Sequence, residues 1–142
     1  MAGLDKDKIL RYEAEIKEAQ NVLLEITSHD VNEFVQNSMM IGAMKYNLII
    51  LVEAICNICR HILAKKEHTV VEEYGEALSK MKGKGFLSEA MTGQLIPLTK
   101  LRHQLIHGYW KTDDRRLFIE TKEGLKTIDA FLSEINHFAS SA

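Results

Sequence analysis

Apolar residues recur every three or four positions over most of this chain, which is the spacing of an amphipathic α-helix. The first such segment covers residues 5–27, and charged residues fill its other face. A second begins at the sequence Asp30-Val-Asn-Glu33, which matches a capping box, and is predicted to run as one long helix to about Lys66. The middle of this helix is apolar on nearly all sides, so we expect it to be buried within a bundle or against a partner chain.

Two shorter helices are predicted in the next part of the chain. The sequence Thr69–Glu72 matches a second capping box and opens a helix that glycines end at Gly85. Ser88 is placed to open the following helix, and Gly108 is placed to end it. Pro97 lies inside this segment, where it should kink the helix or mark its true start.

The pattern as a whole predicts an all-α protein, an up-and-down bundle of about five helices in one domain over residues 1–142. Residues 110–119 are polar and irregular, and Thr121 is placed to cap the last helix. The longest uninterrupted apolar run, Asn47–Val52, is cut by Glu53 and is too short to span a bilayer. The charged N-terminus has no apolar segment behind it, which argues against a secretory signal, so we expect a cytoplasmic protein without membrane contact.

Composition limits how this protein can meet nucleic acid. Of its 142 residues 46% are hydrophobic and 27% are charged, which is typical of a soluble chain with a real core. The net charge of −2 excludes a protein that is basic throughout, so any contact with nucleic acid has to come from a local patch. One segment has a positive local balance, with five cations against Asp113 and Asp114: Lys100, Arg102, Lys111, Arg115 and Arg116.

Two pairs of residues have the spacing of metal ligands. Cys56 and Cys59 form a single CxxC in the middle of the long helix, whereas a zinc ribbon needs four ligands and a redox pair sits at a helix N-terminus, so core cysteines are favoured. His103 and His107 share one helix face, but Gln104 stands where the HExxH motif has glutamate, so a zinc pair is disfavoured.

The segment from Arg102 to Tyr109 has the highest density of side chains suited to catalysis, with one guanidinium, two imidazoles and one phenol within eight residues. On a straight helix Arg102 and His107 point about 140° apart. They can converge if the helix breaks near Gly108, or if two copies of the helix meet across a two-fold axis. An ordinary C-terminal turn, in which basic side chains favour the helix dipole, is the alternative that spacing alone leaves open.

The segment Leu101-Arg-His-Gln-Leu-Ile-His-Gly-Tyr-Trp110 resembles the signature of the HEPN superfamily: Arg, a polar residue, apolar positions, then His, any residue and Tyr. It is most similar to the HepT branch, the toxin half of a two-gene toxin–antitoxin pair. The similarity in helix pattern covers residues 5–138. The chain departs from the branch at His103, where Asn is frequent, at Gly108, where a larger polar residue is common, and at Pro97.

This resemblance implies a metal-independent RNA endonuclease that uses the 2′-hydroxyl of RNA as its nucleophile. It assigns His107 as the acid/base, because an imidazole with a free pKa of about 6.5 exchanges protons at neutral pH. It assigns Arg102 as the stabiliser of the phosphate, with His103 as an auxiliary group. It further implies a homodimer in which two motifs line one cleft, and a nucleotidyltransferase antitoxin that silences the toxin by transferring AMP to Tyr109.

Two other functions stay open. A HEPN module without catalysis would bind a nucleotide or dock the nucleotidyltransferase, and the departures at His103 and Gly108 leave room for it. A plain helical dimerisation protein would explain the long apolar helix but not the cluster of reactive side chains.

Overall fold

Every regular element in the described part of the protein is an α-helix, as the pattern predicts. The computed structural model describes residues 3–108 and 113–141. Instead of about five helices, these residues form seven helical segments: α1 (Lys6–Thr27), α2 (Val31–Val35), α3 (Ser38–Glu67), α4 (Tyr74–Gly83), α5 (Glu89–Ile106), α6 (Asp114–Leu125) and α7 (Ile128–Ser141).

Helix α3 lies at the centre, and α1, α2, α4 and α5 all pack against it. Its length and mean hydropathy would also suit a membrane-spanning segment, although its longest unbroken apolar run is short. In this fold Leu51, Ile55, Ile58 and Ile62 are at most 2% exposed, because the neighbouring helices cover them. The predicted burial of the middle of this helix is therefore confirmed.

The helix predicted over residues 30–66 is broken near its start. Asp30 caps only the five-residue α2, where its side chain accepts from the Asn32 amide at 3.2 Å. Asn37 is extended, and its side chain accepts from the Met40 amide at 3.0 Å, which opens α3 as a separate helix. An Asn side chain that satisfies a free amide at a helix start is a common N-cap, and this second cap is what the prediction missed.

The capping box predicted at Thr69–Glu72 is wrong, because α4 begins at Tyr74. The Thr69 hydroxyl donates to the Glu67 carbonyl at 3.0 Å, so it bonds to the end of α3 instead of the start of α4. Val70, taken as the first apolar residue of the helix, is 85% exposed. The loop between α3 and α4 is therefore longer than predicted.

Helix α5 begins where the sequence indicates, with the Ser88 side chain accepting from the Met91 amide at 3.1 Å. The helix continues through Pro97, so the proline does not mark its start.

The irregular segment predicted up to residue 119 is wrong for its second half. Asp113 accepts from the Arg115 and Arg116 amides at 3.0 and 3.3 Å and opens α6. Thr121 caps nothing, because it is fully buried inside α6, and α7 starts at Ile128. The first three residues of α6 are charged, so its apolar face begins only at Leu117, and this hid the helix from the pattern.

Candidate active site

Arg102 projects from the last turns of α5 onto the middle of α3. Its neighbours Leu101 and Leu105 are buried, and they hold this face of α5 on the core. The Arg102 Nη2 donates to Glu53 Oε2 at 2.9 Å, and the two side chains are 21% and 34% exposed. Glu53 on α3 therefore has an internal partner on α5, and the pair fixes the guanidinium at the surface of the core.

The first residue of α4 provides the second support for this guanidinium. The Cζ of Arg102 lies 4.4 Å from the centroid of the Tyr74 ring, within the range of a cation–π contact. Burial raises the pKa of the Tyr74 phenol above its usual value, and the Arg102 charge opposes that shift. Within the described residues the buried Nε of Arg102 has no partner. An unpaired buried donor is costly, so it needs an explanation, of which a catalytic role is one.

The two histidines lie side by side where α5 ends. The His107 amide still donates to the His103 carbonyl at 3.0 Å, but His107 itself has left helical geometry. Gly108 follows with φ 83°, a left-handed conformation that glycine adopts without strain, so the predicted stop at this glycine is confirmed. The His103 and His107 ring centroids are 4.1 Å apart, and both side chains are exposed.

Arg102, His103 and His107 line one cleft of about 660 Å³. The end of α5, the start of α4 and Arg60 of α3 form its walls. Of the two routes by which arginine and histidine could converge, the helix break near Gly108 is therefore present within one chain. The arrangement places a fixed cation and two exposed imidazoles around a space open to a ligand.

Tyr109 lies outside the described residues, as do Trp110 and Lys111. The modification expected at Tyr109 therefore has no structural description here.

The described cations between Lys100 and Arg116 do not all line the cleft that holds Arg102. Lys100 lines the cleft. Arg115 donates to the Asn32 side chain at 2.7 Å, and Arg116 to Glu120 at 3.0 Å, and neither arginine lines that cleft. The local charge excess in the sequence therefore only partly describes the site.

A second cleft of about 570 Å³ lies across α5, against α6. Two of its cations are engaged by carboxylates, since Arg116 pairs with Glu120 and Lys126 with Glu123, each at 3.0 Å, and Lys100 lines both clefts. No histidine lines it. This cleft therefore lacks groups for acid–base work on a phosphate.

The cysteines belong to the core, as the sequence favours. Cys56 and Cys59 are free thiols with no exposed surface, and burial raises the pKa of Cys56 to about 12. His61 is also buried, and its Nε2 accepts from the Asp5 amide at 3.0 Å. Among residues 3–108 and 113–141 no three His, Cys, Asp or Glu side chains are grouped to hold a metal ion.

Two residues of the cleft were not identified from the sequence. The sequence pattern singles out neither Tyr74 nor Arg60 as a site residue. The Arg60 Nε donates to the Val71 carbonyl at 2.7 Å, which fixes this side chain at the wall of the cleft. Its one signal in the sequence is a cation two helical turns after Glu53, on the same face of a largely apolar helix.

Comparisons with known proteins identify a family and a fold. The family model described as Ribonuclease HepT-like matches residues 12–135. No protein of curated function matches the sequence.

Three solved structures share the fold. The first is a toxin–antitoxin with AMP-PNP (TM-score 0.82, 17% identity, covering 91% of this chain and 98% of the other). The second is a tri-AMPylated Shewanella oneidensis HEPN toxin in complex with MNT antitoxin (0.83, 18%, 92% and 98%). The third is YutE from Bacillus subtilis, a cytosolic protein of unknown function (0.83, 17%, 99% and 94%). Identities this low establish the fold alone, and the expected HEPN-like fold is confirmed.

Proposed function

We propose that this chain, which belongs to the HepT-like ribonuclease family, is a metal-independent RNA endonuclease and the toxin of a toxin–antitoxin pair. One observation carries the proposal: the fixed guanidinium of Arg102 and the imidazoles of His103 and His107 line the same open cleft. The match over residues 12–135 supports treating the chain as one domain of this kind.

In the proposed reaction the 2′-oxygen of RNA attacks the adjacent phosphorus, and the bond from phosphorus to the 5′-oxygen breaks. The products are a 2′,3′-cyclic phosphate and a free 5′-hydroxyl. One proton has to leave the 2′-hydroxyl and one has to reach the 5′-oxygen, and His107 carries out one of these transfers. His103 assists, since its ring is stacked beside that of His107.

Arg102 offsets the negative charge that grows on the phosphate in the transition state. Glu53 and Tyr74 hold its guanidinium in place before RNA binds, so little side-chain entropy is lost on binding. Glu53 also takes up part of the positive charge, so Arg102 acts through directed hydrogen bonds more than through bulk attraction. No step requires a metal ion, because RNA supplies its own nucleophile.

The proposed control is AMP transfer to Tyr109 by a nucleotidyltransferase antitoxin. Tyr109 follows His107 by two residues, so an attached AMP would place bulk and a phosphate charge next to the cleft. The relatives that share this fold include a HEPN toxin in complex with MNT antitoxin, which supports a partner of that class. Intact mass after co-expression should rise by AMP units. Tyr109→Phe should abolish the gain, whereas Tyr12→Phe on α1 should not, and an unmodified wild type beside an active partner would contradict this control.

We also propose a cytoplasmic homodimer that uses one face of α3. Met39 and Tyr46 on this helix are 83% and 65% exposed, and Ile49 and Ile50 on the following turn are only partly covered. The stripe leads to Glu53, the partner of Arg102, so a second copy packed against it would bring two clefts together. Sedimentation should show a dimer at micromolar concentration. Tyr46→Lys should yield monomers and Leu24→Lys on α1 should not, and a wild-type monomer would end the dimer proposal.

RNA cleavage in EDTA tests the proposed function. We expect wild type to cut RNA, and Arg102→Ala and His107→Ala to lose at least a hundredfold in rate, typical of lost electrostatic or acid–base groups. Arg11→Ala and His137→Ala remove the same groups from exposed positions on α1 and α7 and should cut at the wild-type rate. Intact RNA with wild type at high enzyme concentration, together with nucleotide binding, would favour the non-catalytic HEPN module.

A further inference from the structure

A second guanidinium lies in the same cleft and has no role in the proposed chemistry. Arg60 is seven residues after Glu53 on α3, so both residues lie on one face of that helix. The Arg60 Nε donates to the Val71 carbonyl at 2.7 Å. Within the described chain Arg60 forms no ion pair, and its two Nη groups have no hydrogen-bond partner.

This pattern of bonding leaves one edge of the guanidinium available. An arginine binds two phosphate oxygens through a pair of parallel N–H donors, and the Nη1–Nη2 edge is such a pair. Because Nε is held by a backbone carbonyl, the plane of the group is fixed before a ligand arrives. Arg102 and Arg116 each end on a carboxylate, whereas Arg60 ends facing the cleft.

Acidic residues near Arg60 mean that a phosphate would have to be bound by direct hydrogen bonds and not by a general positive potential. Glu72 and Glu73 follow Val71 in the loop and line the same cleft, so they reduce any general positive potential there. A fixed guanidinium can still bind one phosphate through short hydrogen bonds, because these act at close range. Arg102 is anchored at Glu53, and Arg60 starts about 10 Å further along the α3 axis. That distance corresponds to roughly three nucleotides of a stacked strand at 3.4 Å each.

We propose that Arg60 is a second phosphate subsite, which binds a phosphodiester of the RNA strand away from the linkage held by Arg102. This inference rests on the proposed function, and it adds a substrate class to it: single-stranded RNA several nucleotides long, in preference to a dinucleotide. Binding at two separated phosphates aligns the strand along the cleft, so the linkage held by Arg102 is presented to His107.

The first experiment measures RNA binding against salt in a His107→Ala background, in which RNA stays intact. The probe is a single-stranded RNA octanucleotide. Arg60→Ala should weaken binding about tenfold, as expected for one charged hydrogen-bonded contact. It should also lower the slope of log affinity against log salt by about 1, the value for one lost phosphate contact. Arg11→Ala removes a cation from the exposed face of α1 and should leave both quantities unchanged.

Arg60→Lys separates binding from a purely structural role. Lysine keeps the charge but cannot reproduce the arginine fork, so the salt slope should stay near wild type while affinity falls. If Arg60 only ties the loop to α3, both variants lower the thermal midpoint and neither changes the slope, and that result would overturn the subsite.

The second experiment compares kcat/KM for a dinucleotide and for the octanucleotide. In wild type the octanucleotide should be preferred, and Arg60→Ala should reduce that preference about tenfold. If wild type cleaves RNA but Arg60→Ala keeps the full preference, the subsite is wrong and the proposed function stands. If wild type cleaves neither substrate, the proposed function fails, and the salt slope still decides the subsite.

Discussion

The Tyr74 ring beneath Arg102 provides a sharp test of how the cleft is organised. Tyr74→Leu removes the ring while keeping an apolar side chain, and Tyr74→Phe keeps the ring and removes only the phenol oxygen. That oxygen forms no hydrogen bond within the described residues, and the contact with Arg102 is to the ring centroid at 4.4 Å. The phenylalanine variant is therefore a matched control.

The expected size of the effect follows from the burial of the pair. A cation–π contact contributes about 0.5 kcal/mol at an exposed site and about 2 kcal/mol when desolvated. The Arg102 side chain is 21% exposed, so we place this contact at about 1 kcal/mol. Tyr74→Leu should lower the thermal midpoint by about 3 °C for a chain of this length. If the same energy is lost from the positioning of Arg102, kcat/KM falls about fivefold. The loss is limited to this size because Glu53 still holds one Nη group of Arg102.

A double-mutant cycle measured by urea unfolding isolates the interaction between the two side chains. Tyr74→Leu should destabilise wild type by about 1 kcal/mol more than it destabilises Arg102→Ala, because the second protein lacks the cation. Tyr74→Phe should show no such difference. Additive effects of the Tyr74 and Arg102 substitutions, or equal losses for the leucine and phenylalanine variants, would refute the positioning role.

Three further predictions concern the helix end and two buried titratable groups. Gly108→Ala should destabilise the protein by about 1–2 kcal/mol because φ is 83°. Gly93→Ala, inside α5 with nothing near its Cβ, should instead stabilise it by up to about 1 kcal/mol. Equal effects of the two substitutions on the free energy of unfolding would contradict this assignment. Burial lowers the pKa of His61, so its stabilising bond to the Asp5 amide is present above pH 6.5 and lost as the pH falls through the lowered pKa. Urea unfolding should therefore show less acid destabilisation in His61→Gln than in wild type. Burial raises the pKa of Glu13, so its contribution to stability is present below pH 4.5 and lost as the pH rises. Glu13→Gln should therefore be more stable than wild type at pH 7, and the difference in unfolding free energy should be smaller at pH 4. A larger difference at pH 4 would refute this.

The fold was predictable where local chemistry decides a helix boundary. Ser88 opens α5 through its side chain and Gly108 ends it through its backbone freedom, and both preferences can be identified in the sequence. The errors occurred where two local signals compete. Asn37 opens α3 seven residues after Asp30 opens α2, and Thr121, a good cap by type, is buried within α6 because Asp113 caps that helix earlier.

The candidate site was predictable only in its sequence-local half. Spacing alone left an ordinary C-terminal turn open for Arg102 and His107, and their selection rested on the resemblance of residues 101–110 to the HEPN signature. The break at Gly108, which lets them share a cleft, was one of two options. The partners of Arg102 come from residues 49 and 28 positions away in the chain, namely Glu53 and Tyr74. Such pairings depend on how α3, α4 and α5 pack, and helical periodicity does not predict how helices pack against one another.

The chemical claim at the centre of this account is that RNA supplies its own nucleophile and His107 moves a proton. The most direct measurement is single-turnover cleavage, in EDTA, of an RNA oligonucleotide and of the same oligonucleotide with a 2′-deoxy sugar at the cleaved position. We predict that wild type cuts the RNA to a 2′,3′-cyclic phosphate, leaves the deoxy-substituted strand intact, and loses at least a hundredfold in rate on His107→Ala. Cleavage of the deoxy-substituted strand, or cleavage that appears only when a metal ion is added, would contradict the account.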